Sequence, residues 1–189
     1  MNYREVMTEL ADLLADPEPA ARTAAARAIG YSEDDRGVPL LRLKVLTGDP
    51  EPQVLSECLT ALLALAPGPS VPFVARFLDG ADTSLRELAA LALGGSRRRE
   101  AFEILRQWWD RTADPSLRRT ALLAIAMLKH DEPIAFLLSL VAEANGPNAR
   151  DAIAALALYR HDAALCERVR QAAAQRDDVD LSAAIAEAF

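Results

Sequence analysis

Apolar residues recur along this chain at steps of three and four, the spacing that places side chains on one face of an α-helix. The pattern is itself repeated, because one apolar position returns at intervals of 33, 31, 32, 32 and 32 residues. Its six members are Ala21, Val54, Leu85, Leu117, Ala149 and Leu181. Apolar residues also stand four and eight positions after each member, so all three lie on one helical face. Self-similarity at this period predicts an array of helical repeats.

A second apolar stripe follows in each repeat and predicts a second helix, so that each repeat has a helix A, a short turn and a helix B. One column of this stripe contains Val45, Leu78, Trp109, Val141 and Ala173.

Three Asp-Pro pairs are suited to opening a helix A, with Asp as the cap. They begin at Asp16, Asp49 and Asp114. Three prolines are expected in the first turn of a helix B, where a missing N–H costs little. They are Pro39, Pro72 and Pro133. Glycines are expected to end helix A. They are Gly30, Gly94 and Gly95.

The predicted fold class is therefore all-α, an α-solenoid of about twelve helices that forms one elongated domain over residues 1–189. An N-terminal capping helix is expected at 1–15 and a C-terminal half repeat at 176–189. The five full repeats are expected at 16–47, 48–79, 80–111, 112–143 and 144–175. Paired helices stacked in this way are expected to wind into a right-handed superhelix, with helix B on its concave face.

Net charge, apolar runs and cysteine content limit the expected partners and cellular location of the protein. The net charge is -7, from 28 acidic and 21 basic residues, which disfavours nucleic acid as a partner. No apolar run reaches the length of a membrane span or a signal peptide. The two cysteines, Cys58 and Cys166, stand in neither a metal-binding nor a redox spacing. Reduced thiols in the cytoplasm are expected.

The stretch from Asp16 to Leu46 resembles the HEAT-like repeats of the phycocyanobilin-lyase subgroup. The positions that coincide are Asp16, Pro17, Pro19, Arg22, Ala25, Ala28, Gly30, Val38, Pro39 and Leu40. In that family the Arg of helix A and the Asp before it usually link adjacent repeats. The resemblance therefore implies structural roles for Asp16, Arg22, Asp49, Arg86, Arg118 and Arg150, with Leu55 interrupting the Arg series in the second repeat.

The same resemblance implies a function, because most members of the subgroup look like binding scaffolds and only some resemble bilin lyases. We therefore expect a non-catalytic protein–protein interaction scaffold that binds its partner on the concave helix-B face. The alternative is an enzyme or enzyme subunit, either a bilin-lyase-like chromophore handler or a HEAT-like DNA glycosylase. No cofactor is implied, and a repeat pattern alone carries no enzyme activity.

Two His-Asp pairs, His130-Asp131 and His161-Asp162, recur in register and raise the question of a metal site. Both fall in the turn between helix A and helix B, where Asp is a common helix cap, and capping is the favoured interpretation. A HEAT-like di-iron hydroxylase would place His-Glu pairs at helix starts, and this chain has no His-Glu pair. No metal ligand is therefore assigned.

Trp108-Trp109-Asp110, with the run Arg97-Arg98-Arg99 nearby, resembles the concave-face residues of HEAT-like DNA glycosylases. Both tryptophans, however, occupy apolar columns of helix B, so we expect them in the core. Cys58 and Cys166 also occupy buried columns, so inert thiols are expected there. Triad, P-loop and dinucleotide-binding motifs are absent from the sequence, and no catalytic residue is assigned.

The polar stripe of helix B is the candidate binding surface. Its members are Arg42, Arg76, Arg106, Gln107, Ser139, Arg170 and Gln171. An acidic protein segment could bind there, because the planar guanidinium group pairs well with carboxylates. The alternative is a solvated face whose arginines pair with Glu103 and Glu167. Residues 178–189 form a last helix A without a helix B, which suggests an end-to-end dimer or a docked partner.

Overall fold

The computed structural model describes residues 3–174, 176 and 178–189, with the side chains of residues 3 and 4 left out of the description. Over those residues the secondary structure consists of twelve α-helices and two short 3-10 helices, without a strand. The predicted all-α solenoid class is confirmed. The chain divides into two compact units, Met1–Ser96 and Arg97–Phe189.

The unit Met1–Ser96 is built from six α-helices within its described part. They are α1 (Tyr3–Leu13), α2 (Pro19–Tyr31), α3 (Gly37–Thr47), α4 (Pro52–Leu65), α5 (Pro67–Ala75) and α6 (Thr83–Gly95). A 3-10 turn, Arg76–Asp79, continues α5. Helix α4 packs between α2 and α6, and α3 and α5 both pack against α4. The first helices of the pairs thus form one row, and α3 and α5 lie beside it.

The unit Arg97–Phe189 also has six α-helices in the residues described. They are α7 (Arg99–Arg111), α8 (Pro115–Met127), α9 (Asp131–Glu143), α10 (Gly146–Leu156), α11 (Ala163–Ala174) and α12 (Val179–Ala188). A short 3-10 turn, Ala157–Tyr159, follows α10. Helix α10 packs between α8 and α12, while α9 contacts α8, α10 and α11. This arrangement repeats that of the first unit.

The apolar columns of the sequence form the core of both units. The helix-B column that begins at Leu41 continues with Val74, Leu105, Leu137 and Val169, and all five side chains are fully buried. In helix A, the position eight residues after each marker is fully buried in the first four copies. These residues are Ile29, Leu62, Leu93 and Ile125. Burying each such side chain is worth about 1.5–3 kcal/mol, so the columns supply the main stabilisation of the stack.

Gly30 does not end helix α2 as the sequence suggested, because the helix continues to Tyr31. Its role is instead a close approach between neighbouring helices. A Cβ atom at position 30 would lie 2.8 Å from the Cβ atom and 3.0 Å from the Cα atom of Ala61 in α4. The lack of a side chain at Gly30 therefore allows α2 and α4 to pack almost backbone to backbone.

The Asp-Pro prediction is correct for Asp114 and wrong for the two earlier copies. The Asp114 carboxylate accepts hydrogen bonds from the backbone N–H groups of Ser116 and Leu117 and caps α8. Helices α2 and α4 instead begin three residues after Asp16 and Asp49. Each of these aspartates accepts a hydrogen bond from the backbone N–H of the glutamate two residues later.

A second proline explains this shift of the helix start. Both early copies read Asp-Pro-Glu-Pro, and a residue before proline is disfavoured in the helical region. Glu18 and Glu51 accordingly have extended backbones. The prediction for Pro72 is also wrong, because it lies inside α5 rather than in its first turn. Helix α5 begins early at Pro67, directly after the single turn residue Ala66.

Left-handed backbone conformations recur in the turn between helix A and helix B. Glu33, Arg97 and Lys129 have φ angles of 54°, 54° and 59°. Their sequence positions differ by multiples of the 32-residue period. The same turn geometry is therefore used in three repeats, although none of these residues is glycine.

Candidate protein-binding face

The predicted binding stripe lies on second helices of the pairs in both units. Arg42 is on α3 and Arg76 follows α5, so these two belong to Met1–Ser96. The other five members, Arg106, Gln107, Ser139, Arg170 and Gln171, lie on α7, α9 and α11 of the second unit. We use the term "B face" for the surface of α3, α5 and Arg76.

On the B face, two guanidinium groups lie against one phenyl ring. The Cζ atoms of Arg42 and Arg76 are 4.8 Å and 5.2 Å from the centroid of the Phe73 ring. Phe73 is buried and makes an edge-to-face contact with Phe77. Arg42 also donates a hydrogen bond of 2.8 Å from Nη2 to the carbonyl of Pro69. Cation–π contacts of this kind are worth about 0.5–1 kcal/mol each and hold the two side chains in place.

Neither of these arginines pairs with a carboxylate in the described part of the chain. Arg42 contacts the Pro69 carbonyl and the Phe73 ring, and its Nε atom is buried without a hydrogen-bond partner. Arg76 contacts the same ring. The sequences of α3 and α5 contain no Asp or Glu, in a protein of net charge -7. The B face is thus a cationic surface on an acidic protein.

The arginines of the stripe in the second unit are arranged differently, because both lie near a glutamate. Arg106 donates two hydrogen bonds to the Glu103 carboxylate, at 3.0 Å and 2.9 Å, and Gln107 donates a third. These donors lower the pKa of Glu103, with Arg106 as the largest cause. Arg170 lies 3.9 Å from Glu167. This is the ion-paired arrangement that the sequence left open as the alternative.

The two remaining polar side chains of the stripe are also engaged within α9 and α11. The hydroxyl of Ser139 donates to the carbonyl of Phe136 at 2.7 Å. Gln171 donates to the Glu167 carboxylate at 3.1 Å. In this unit every member of the stripe therefore has a polar partner within its own helix.

Sequence reasoning missed two exposed leucines on the B face. Leu43 and Leu46 of α3 are 59% and 58% exposed. The signal was present in the repeat columns. The column of Leu43 continues with Arg76, Gln107, Ser139 and Gln171, and that of Leu46 continues with Asp79, Asp110, Ala142 and Ala174. Large apolar residues thus replace polar or small ones in the first repeat alone.

The repeat-linking residues implied by the resemblance form a buried cluster in the first unit. Arg22 donates to both carboxylate oxygens of Asp49, at 2.7 Å and 2.8 Å, and its Nη1 donates to the carbonyls of Asp16 and Pro17. Lys44 Nζ lies 2.7 Å from the same carboxylate. Burial acts to raise the pKa of Asp49, but the hydrogen bonds from Arg22 and Lys44 outweigh burial and hold it well below its usual range.

The other arginines of the series bind backbone carbonyls that precede their own helix, or residues of the next repeat. Arg86 donates from Nε to the carbonyl of Leu78 at 2.8 Å. Arg118 donates to the carbonyl of Trp109 at 2.8 Å, and its Cζ lies 4.3 Å from the Trp109 ring centroid. Arg150 lies 3.3 Å from the exposed carboxylate of Asp180. The contacts of Arg86 and Arg118 satisfy carbonyl groups near the ends of the preceding helices.

The two His-Asp pairs make different contacts at the starts of α9 and α11. His130, rather than Asp131, occupies the N-cap position of α9, without a side-chain capping bond. The capping prediction is therefore wrong for Asp131, because α9 begins at Asp131 itself and its carboxylate lies in the first turn. The His130 ring lies 2.6 Å from the Arg97 carbonyl. Asp162 does cap α11 by accepting from the N–H of Leu165. Among the described residues, no three His, Cys, Asp or Glu side chains are grouped as metal ligands.

The residues that suggested glycosylase-like or thiol chemistry are buried. Trp108 is fully buried, and Trp109 is 7% exposed in an edge-to-face contact with Phe136. Both tryptophans therefore lie in the core of their unit, as their columns predict. Cys58 and Cys166 are buried free thiols, and burial raises the pKa of Cys58 to about 12. A thiol with so high a pKa is a poor nucleophile.

The described part of the chain has several surface depressions. One of about 250 Å³ between α8 and α10 is lined in part by Arg119, Leu123 and Asp151. Burial raises the pKa of Asp151 against the opposing effect of Arg119 and its neighbours.

At the last helix, Leu181 and Ile185 of α12 are buried, while Val179 is 82% exposed. None of the described helices has the length and apolar content needed to cross a bilayer.

The family model of HEAT repeats matches residues 70–157 of this chain. Together with the stacked helix pairs, this match supports a HEAT-like repeat protein. HEAT repeats are in general protein-interaction scaffolds. Among curated proteins, none has significant sequence similarity to this chain.

Two solved structures align with nearly the whole chain at low similarity. One is the crystal structure of an engineered protein, with 18% identity and a TM-score of 0.47, covering 100% of this chain and 95% of that chain. The other is human deoxyhypusine hydroxylase in complex with glycerol, with 14% identity and a TM-score of 0.40, covering 96% and 82%. At these values neither alignment assigns an activity to this chain.

Proposed function

We propose that this chain is a non-catalytic protein-binding scaffold and that its B face binds an acidic segment of a partner protein. The observation that carries the proposal is the pair Arg42 and Arg76, which lie on the Phe73 ring without a carboxylate partner in the described structure. Both guanidinium groups are held in place before any ligand arrives. Binding a carboxylate there costs less side-chain entropy than binding it to mobile arginines.

The difference between the two units supports this choice of surface. Arg106 and Arg170 already lie within ion-pair distance of Glu103 and Glu167, so an incoming carboxylate must compete with them. On the B face no such competitor is present in α3 or α5.

An enzymatic role, bilin-lyase-like or glycosylase-like, is the alternative within the HEAT-like class. Burial of Trp108 and Trp109 favours the scaffold, because a stacking or base-reading role needs these rings at the surface. The recurrent Asp-Pro and Arg positions support the phycocyanobilin-lyase type of repeat as the finer family proposal. The two buried free thiols support a cytoplasmic location.

The test is binding of a fluorescein-labelled peptide rich in Glu to the full chain, followed by fluorescence anisotropy. The matched probe is the same peptide with Gln at every Glu position. We expect the Glu peptide to bind more tightly than the matched Gln peptide. Its affinity should fall as the salt concentration is raised. The double variant R42E/R76E should weaken binding at least about 10-fold, since two favourable contacts become repulsive.

The control is the double variant R106E/R170E, which carries the same change of charge on the second unit. We expect it to weaken binding less than about 3-fold, because the effect is then only long-range and screened. If the two double variants weaken binding equally, net charge rather than the B face governs it. That result would contradict the proposal, as would a Glu peptide that binds no more tightly than the matched Gln peptide.

A further inference from the structure

The B face carries an apolar stripe next to its two arginines. Pro39, Arg42, Leu43 and Leu46 stand at positions i, i+3, i+4 and i+7 of α3 and therefore share one helical face. Pro39, Leu43 and Leu46 are exposed, the two leucines by more than half. The stripe extends about 10 Å along the helix axis, which is two turns.

This stripe is specific to the first repeat rather than a property of every helix B. At the two leucine positions, the other four second helices have polar or small residues, from Arg76 and Asp79 to Gln171 and Ala174. Scattered exposed leucines are normal on protein surfaces, but two on one face of one helix, beside two arginines without carboxylate partners, are not scattered.

The local backbone determines what form of partner can fit. The described structure contains no strand, so the B face offers no sheet edge to an extended peptide. A helix satisfies its own backbone hydrogen bonds and can therefore cover Leu43 and Leu46 without a backbone partner on the B face. The stripe has the spacing of a helix–helix contact, and the acid-free α3 and α5 attract negative charge.

We infer that the segment bound by the B face is an acidic amphipathic helix of a partner protein. Its apolar side chains cover Leu43 and Leu46, and carboxylates at the edge of its apolar face bind Arg42 and Arg76. This inference rests on the proposed function and adds the helical form and the apolar contact to it. Acidity alone would not select such a segment, because many disordered tails are acidic but not amphipathic.

The experiment compares two synthetic peptides of identical composition against the full chain. One places Leu at i, i+3, i+4 and i+7 with Glu beside them, and the other has the same residues in an order without helical periodicity. We expect the amphipathic peptide to bind at least about 10-fold more tightly to the wild type. Its circular dichroism should also show a gain of helix on binding, which the scrambled peptide does not show.

The variant L43S/L46S should remove this preference, so that both peptides bind it with affinities within about 3-fold of each other. Both positions are exposed, so the fold is retained, and far-UV circular dichroism checks this directly. The matched control is Leu158→Ser, an exposed leucine of the second unit, which should leave the preference unchanged.

Each contrary outcome has a defined meaning. Equal affinity of the wild type for the two peptides overturns this inference, and the proposed function stands if R42E/R76E still weakens both. If both peptides bind and R42E/R76E weakens neither, the proposed function itself is overturned. It is also overturned if neither peptide binds the wild type. Binding to phosphatidylserine vesicles that requires Leu43 and Leu46, without peptide binding, overturns both in favour of a membrane surface.

Discussion

The guanidinium group of Arg22 donates two hydrogen bonds to the carboxylate of Asp49, 27 residues later in the chain. The carboxylate lies before α4, in the repeat after the one that supplies the arginine. Lys44 of α3 approaches the same carboxylate, which has no exposed side-chain surface. One acidic group therefore joins α2, α3 and the start of α4.

Replacing Asp49 by Ala should destabilise the protein, because it leaves Arg22 and Lys44 without their shared counter-charge. We expect a loss of about 2–3 kcal/mol in the free energy of unfolding, somewhat below the value for a deeply buried pair. Urea denaturation followed by circular dichroism measures it. Asp180→Ala is the control, since its exposed pair with Arg150 should contribute less than about 1 kcal/mol. Equal losses in the two variants would contradict the proposed role of Asp49.

The lowered pKa of Asp49 predicts a pH dependence of stability with a definite sign. A carboxyl group whose pKa is lower in the folded state stabilises fully above its unfolded pKa, about 3.9. This contribution is lost as the pH falls below that value, by at most about 1.4 kcal/mol per pH unit and less with solvent screening. The stability difference between wild type and Asp49→Asn should therefore be constant from pH 7 to about pH 5 and shrink below about pH 4.

Unfolding curves of both proteins at a series of pH values measure this difference. Asp180→Asn serves as the control, because the exposed pair of Asp180 with Arg150 should contribute little to stability. A gap between wild type and Asp49→Asn that stays constant down to the lowest pH at which both fold would show that Asp49 is not held in its ionised form by Arg22 and Lys44.

Gly30→Ala should destabilise the protein, although alanine is the better helix former. The added Cβ meets both the side chain and the backbone of Ala61, so α2 and α4 must separate, at a cost of about 1–3 kcal/mol. The gain in helix propensity, about 1 kcal/mol, offsets only part of this. Gly68→Ala in α5 is the matched control, because no atom lies within 4 Å of its added Cβ. It should be neutral or slightly stabilising.

The double variant G30A/A61G tests whether the contact itself is responsible. Removing the Ala61 side chain makes room for the new methyl group, so the two changes should be non-additive and part of the stability should return. Thermal unfolding of the wild type, the two single variants and the double variant gives the coupling. A Gly30→Ala protein as stable as the wild type would show that the helices can move apart without cost.

Helical periodicity predicted most of the core. The Asp, Pro and Gly positions were a less reliable guide to where the helices begin and end. Leu41 and Leu62 could be placed in the core from spacing alone, because a buried stripe repeats five times. The starts of α2 and α4 were misplaced, because the second proline of Asp-Pro-Glu-Pro delays the helix. The role of Gly30 depends on a contact 31 residues away, which no local pattern shows.

The candidate site was predicted only in part, for a different physical reason. The stripe of arginines could be read from the sequence, but which of them pair with glutamates depends on side-chain conformation. Arg106 has Glu103 three residues earlier on the same helix, whereas the neighbours of Arg42 at that spacing are Pro39 and Val45. This comparison, with the column of Leu43, would have distinguished Arg42 from Arg106 from sequence alone.

The shared carboxylate of Asp49 has a consequence for how the first two repeats open. In a linear array each repeat can in principle melt by itself, held only by its neighbour. Here detachment of α2 or α3 removes one of the two cations that pair with the carboxylate just before α4. The first two helix pairs should therefore unfold as one cooperative block, so that the surface formed by α3 and α5 keeps its shape until both pairs are lost.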